Sequence, residues 1–143
     1  MYTITTDKSL LHPEEVHRWL TTASYWSRGI PYEVFKRSFD HSCCAGVLHE
    51  GRQVGFGRLI TDYATFAYLA DVYVAEAHRG QGLGKRIVEA LLDQDWIPGL
   101  RKILLATQDA HGLYRQFGFT EIAHPERLME RAGMTAYESK RGM

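Results

Sequence analysis

Residues 65–92 join three unlike pieces in an order that few folds accept. "TFAYLADVYVA" (65–75) is rich in β-branched and aromatic residues and reads as a long strand. "HRGQGLGKR" (78–86) follows, with Gly80, Gly82 and Gly84 alternating with other residues and basic side chains on both flanks. Leu83, Ile87, Val88 and Leu91 then recur at helical spacing, and Lys85, Arg86, Glu89 and Asp93 fill the opposite side. A strand therefore hands over, through nearly bare backbone, to an amphipathic helix. The start of a helix carries four unpaired N–H groups and about half a unit of positive charge, which attract an anion. The three glycines remove side chains that would hold an anion away, and Arg79 and Lys85 add charge.

Two phosphate loops of this general kind fail on spacing. A Walker loop requires G-x-x-x-x-G-K-[ST], whereas Gly80 is followed by Gly84 and then Lys85-Arg86, with no hydroxyl for a magnesium ion. The dinucleotide fingerprint requires G-x-G-x-x-G, and the residue three after Gly82 is Lys85.

The rest of the chain supplies a mixed pattern without internal repeats. Strands are expected at 2–6, 42–50, 53–62, 65–75, 102–107 and 119–123, with a further one at "MTAYE" (134–138). Helices are expected at 12–23, at 31–39, after the glycine loop, and at 109–117, where Gly118 stops the last. Hairpin-rich strands followed by β-α-β-α-β imply an α/β (α+β) fold with helices packed on a mixed sheet.

The 143 residues fit one domain, 1–143. Seventeen basic and seventeen acidic residues give zero formal charge, which disfavours nucleic acid as a partner. No apolar run approaches eighteen residues, so no membrane span is expected, and the N-terminus lacks a signal-peptide pattern. Adjacent Cys43 and Cys44 form no metal or redox motif and read as small strand residues. A cytoplasmic location is the expectation.

"VYVAEAHRGQGLGKRIVEALL" resembles motif A of the GNAT (Gcn5-related) N-acetyltransferases, whose Q/R-x-x-G-x-G/A signature falls on Arg79, Gly82 and Gly84. "ATQDAHGLYRQFGF" resembles the end of motif B, A-x-x-x-Y-x-x-x-G-F, on Ala110, Tyr114, Gly118 and Phe119. The resemblance implies the acyl-CoA N-acyltransferase fold, a mixed, mostly antiparallel sheet of six or seven strands with about four helices. It implies direct acetyl transfer from acetyl-CoA to an amine, without a metal. The pyrophosphate would lie on Arg79, Gly80, Gln81, Gly82, Leu83, Gly84 and Lys85. The pantetheine would run along Val72, Tyr73 and Val74 and pass Thr107, Ala110 and Tyr114.

Roles for the remaining candidates also follow from the resemblance. Tyr114 would protonate the leaving sulfur, and the N–H of Val74 would face the developing oxyanion. Asp71 is the candidate base or ammonium anchor, with a structural role as the alternative, and its alternation with Val72 and Val74 places it on the face of Tyr73. His111 is a second candidate base, or a solvated side chain. Thr107 stands where many members carry Asn; it can donate one hydrogen bond but cannot reproduce an amide. Acceptor contacts are expected from Tyr25, Trp26, Arg28, Asp62 and Tyr63. Aromatics beside an acid suit a cationic amine, whereas Arg28 suits a carboxylate-bearing acceptor; Trp26 fits the core equally. A small-molecule acceptor is favoured over a peptide, a non-catalytic acyl-CoA sensor is the alternative outside catalysis, and homodimerisation is plausible.

Overall fold

A computed structural model describes residues 1–134 and residue 137. Its elements are β1 (Tyr2–Thr5), α1 (Pro13–Ala23), α2 (Tyr32–Asp40), β2 (Cys43–His49), β3 (Arg52–Thr61), β4 (Phe66–Val74), α3 (Leu83–Leu92), β5 (Lys102–Leu105) and α4 (His111–Arg115). The strands form one sheet in sequence order. The first four are antiparallel to their neighbours and β5 is parallel to β4. Among the described residues no helix is long and apolar enough to cross a membrane.

Alternation along the strands builds a core on each face. Cys43, Ala45, Val47, Leu59, Ala67 and Leu69 meet Leu83, Ile87, Val88 and Leu91 of α3. On the other face Cys44 and Phe56 meet Val16 and Leu20 of α1 and Phe35 and Phe39 of α2. The adjacent cysteines thus enter opposite cores. Both are free thiols, and burial pushes Cys44 up to about 12, so it stays un-ionised.

Pro13 opens α1 with Glu14 and Glu15 in its first turn, where the helix dipole favours them. Ser24, Ser27 and Gly29 then fold the α1–α2 connection back on the end of α1: Ser24 Oγ donates to Leu20 O and accepts from Ser27 N–H, and Gly29 N–H donates to Thr21 O. This connection is therefore a fixed loop with its own internal bonding.

Five strands are described where six or seven were expected. Residues 119–123, "FTEIA", form no strand among the described residues. Their large apolar side chains, Phe119 and Ile122, are three apart and cannot share one face of a strand of period two. Glu121 is turned outward in an ion pair with Arg115. The expected strand at 134–138 lies largely outside the described residues.

The C-terminal end of α4 matches the sequence more closely than its five helical residues suggest. Gly118 has φ +89°, its N–H donates to Arg115 O, and Phe119 N–H donates to Tyr114 O. The Phe119 ring then packs on Tyr114 with centroids 6.1 Å apart. This is a Schellman ending with its accompanying apolar contact, and it fixes the Tyr114 ring.

The register of β3 and β4 breaks between Phe56/Tyr73 and Arg58/Ala70, which leaves Gly57 opposite a bulge. A Cβ on Gly57 would lie 2.7 Å from Ile87 Cγ2. Ile87 is fully buried and β-branched, so it cannot swing away. Gly57→Ala is expected to destabilise the protein by about 1–3 kcal/mol through overpacking, read as a Tm several degrees lower; an unchanged Tm would mean that α3 shifts freely.

Candidate active site

β4 and β5 pair from Phe66/Lys102 to Leu69/Leu105 and no further. β5 ends there, while β4 runs on to Val74, so the two strands open into a V. The bulge sits at the apex. Ala67 and Leu69 face α3, and so do Val72 and Val74; an unbroken strand would instead have put Asp71 beneath α3. Asp71 adopts φ +56°, rare for a non-glycine residue, and the strand changes phase there. The expected sharing of a face by Asp71 and Tyr73 is thus achieved after a flip: Tyr73 packs on the α1–α2 core and stacks on Trp19 with centroids 5.6 Å apart.

One arm of the V ends in the glycine loop. Ala75 N–H donates to Val54 O on β3. By alternation the N–H and C=O of Val74 point the other way, into the gap. Arg79 donates from Nε to Val74 O at 2.8 Å and lies over the Tyr73 ring, 5.1 Å from its centroid. Gly82 caps α3 at φ +76°, a conformation that disfavours any side chain. The first helical hydrogen bond is Arg86 N–H to Gly82 O, which leaves the N–H groups of Leu83, Gly84 and Lys85 at the helix end. Cβ positions built on Gly80 and Gly82 meet nothing within 4 Å. Lys85 and Arg86 crowd the first turn with no acid, opposite to what the dipole favours, and a bound anion would offset this. Gln81 donates from Nε2 to the Tyr2 hydroxyl, which ties the loop to β1.

The open end of the V is a cleft of about 470 Å³ lined by Tyr25, Trp26, Arg58, Tyr68, Asp71, Thr107, Asp109, Ala110 and Tyr114 among others. Tyr114 rises into it from α4. Burial, with smaller contributions from Tyr25 and Asp109, raises its pKa above the ordinary phenol value. Thr107 Oγ1 accepts from Ala110 N–H at 3.0 Å, so this threonine shapes the turn into α4.

Asp71 is almost closed off, its side chain 7% exposed. Oδ2 accepts from Arg58 Nε at 2.7 Å, and Oδ1 accepts from Trp26 Nε1 at 2.7 Å. Arg58 also donates from Nη1 to Ser42 Oγ. Across the cleft Tyr25 OH accepts from Gln108 N–H at 3.4 Å, and its ring meets Trp26 edge-on at 4.9 Å.

The structure thus brings together Tyr25, Trp26, Asp71, Val72, Thr107, Ala110 and Tyr114, and it seats the loop residues at the neighbouring strand end. Other candidates lie elsewhere. His111 lines a second cavity of about 300 Å³, between β5 and residues 119–122, which Tyr114 also borders. Asp62 accepts from the N–H groups of Ala64, Thr65 and Phe66 and from Thr65 Oγ1, bonds that hold its carboxyl well below the usual range and make it the organiser of the β3–β4 turn. Tyr63 packs on Trp96, and Arg28 is exposed; neither lines the cleft. Arg58 and Tyr68 line it without having been singled out. Arg58 carried a sequence signal, a charge two residues from Phe56 on the same strand face. Among the described residues no group of three or more His, Cys, Asp or Glu side chains is placed to hold a metal.

Comparison with known proteins gives the same architecture. The sequence model of the Acetyltransferase (GNAT) family matches residues 13–119. A Gibberella zeae protein assigned as an acetyltransferase is 31% identical over 79% of this chain and 75% of its own length. The thialysine N-epsilon-acetyltransferase of Bos taurus is 31% identical over 51% of this chain, about half its own length. A crystal structure from Xanthomonas campestris, assigned to the GNAT acetyltransferases, superposes with a TM-score of 0.91 at 45% identity and covers 96% of both chains.

Proposed function

Because the chain belongs to the GNAT acetyltransferase family, we propose that it transfers the acetyl group of acetyl-CoA directly to a primary amine of a small molecule. The observation that carries this reading is the V between β4 and β5, with an anion-attracting loop at one end and an aromatic cleft at the other. A pyrophosphate fits the glycine loop, and a pantetheine arm fits the edge of β4 beyond Leu69, which β5 does not pair.

Acetyl-CoA supplies a thioester whose carbonyl carbon takes the amine lone pair and whose sulfur leaves. The Val74 N–H, turned into the gap, would meet the charge that develops on the carbonyl oxygen. Tyr114, un-ionised at neutral pH, would pass its hydroxyl proton to the sulfur as the carbon–sulfur bond breaks, and the proton that the nitrogen sheds on becoming an amide would pass to solvent, from which the phenolate is reprotonated. The acceptor must arrive without its extra proton, since an alkylammonium of pKa about 10.4 has no lone pair to offer. The aromatic faces of Tyr25, Trp26 and Tyr68 suit an amine that carries a second cationic or polar group. The cytoplasm, where acetyl-CoA is produced and used, is the proposed site of action.

Free-thiol release from acetyl-CoA across amines, amino acids including lysine and thialysine, polyamines, aminoglycosides and lysine peptides tests this. A small amine turned over faster than any peptide is the expected result. Turnover of peptides alone would move the acceptor to proteins. Silence with every amine, while acetyl-CoA still binds by calorimetry, would replace catalysis with acyl-CoA sensing.

A further inference from the structure

The Arg58–Asp71–Trp26 cluster carries more than its place in the cleft wall. A carboxylate that takes protons from substrate needs a free oxygen facing it. Each oxygen of Asp71 already accepts a bond at 2.7 Å, one from a guanidinium and one from an indole N–H, and with the side chain 7% exposed little of either oxygen faces the cleft. The Arg58 side chain is 14% exposed, so the ion pair is shielded from water and its charge-assisted bonds are strong.

We propose that Asp71 is a positioning residue that builds the acceptor wall, and that Arg58 holds it in place for that purpose. This inference rests on reading the cleft as the acceptor site. Arg58 reaches Asp71 from β3 and is itself braced on Ser42. The held carboxylate then draws the Trp26 indole from the α1–α2 loop onto the β4 arm of the V. Tyr25, next in the chain, reaches the other arm at Gln108. Two adjacent aromatics thus span the opening, one bonded to each side. The positive φ of Asp71 fits this role, because it turns the carboxylate away from the apolar layer under α3 and toward the loop. The arrangement sets the width of the acceptor opening and leaves the pyrophosphate loop untouched.

The test uses the three tryptophans, Trp19, Trp26 and Trp96, as reporters. In ¹⁵N-labelled full-length protein each indole N–H gives one resonance, and Trp26→Phe identifies its own by removing it. Asp71→Asn should move the Trp26 resonance and leave the other two in place. Kinetically, Trp26→Phe and Asp71→Asn should each raise the acceptor KM about tenfold or more, the size of a lost bond to a charged group. They should change kcat by less than about threefold and leave acetyl-CoA affinity by calorimetry unchanged. Trp26→Phe keeps the buried ion pair, so it remains readable if Asp71→Asn folds poorly. A Trp26 resonance indifferent to Asp71→Asn would overturn the proposal. So would a kcat lost by orders of magnitude in Asp71→Asn with Trp26→Phe near wild type, which would make Asp71 the proton acceptor. A moved resonance in a protein that acetylates no amine would retain the Asp71–Trp26 link and count against the acetyltransfer reading instead.

Discussion

Gly82→Asp should raise the KM for acetyl-CoA by about 100-fold, equivalent to about 2.7 kcal/mol. The new carboxylate would stand at the cap of α3, beside the N–H groups of Leu83, Gly84 and Lys85. Two like charges about 4 Å apart repel by roughly 4 kcal/mol near a protein surface, and solvent lowers that figure further. Gly82 also sits at φ +76°, where any side chain adds strain of about 1–2 kcal/mol. Gly82→Ala separates the two effects, since it brings the strain without the charge. It should lower Tm by a few degrees and raise KM less than tenfold. A folded Gly82→Asp protein whose KM stays within twofold of wild type would move the pyrophosphate off this loop.

The loop was legible because its information is local. Bare backbone, flanking charge and the apolar stripe of α3 all lie within fifteen residues. The end of α4 was legible for the same reason, since Gly118 and Phe119 complete a motif within one turn of Tyr114. The pairing of Cys43 and Cys44 with opposite cores follows from strand period alone.

Other features needed contacts that sequence spacing hides. Asp71 leaves the face of Ala67 and Leu69 and meets Arg58 where the β3–β4 register shifts, and it meets Trp26 across 45 residues of chain. Yet the bulge left a trace. In "FAYLADVYV" the apolar phase runs through Ala67 and Leu69 and then resumes at Val72 and Val74, a break of period with a charged residue inside it. Asp62 was legible in another sense: an aspartate three residues before a threonine in a hairpin turn can saturate the turn's N–H groups, which is what it does. Residues 119–123 form no strand because Phe119 and Ile122, three apart, give a strand no shared apolar face.

Tyr114→Phe should lower kcat by roughly 10²- to 10⁴-fold, the usual contribution of a positioned acid, and leave the Kd for acetyl-CoA within about twofold. The change removes one oxygen and keeps the ring, so the packing on Phe119 and on the α3 side of the sheet survives. Stability should therefore hold, and a folded variant can be measured directly. The direction of the pKa shift adds a second check. Burial raises Tyr114 above its ordinary value of 10.0, so its proton is present throughout the neutral range and is lost only above that value. Wild-type kcat should accordingly show no fall below about pH 9 that Tyr114→Phe abolishes. If the variant instead turns over at the wild-type rate, the thiolate must leave unaided or take its proton from water. Tyr114 would then be only the apolar rim shared by the cleft and the second cavity beside β5.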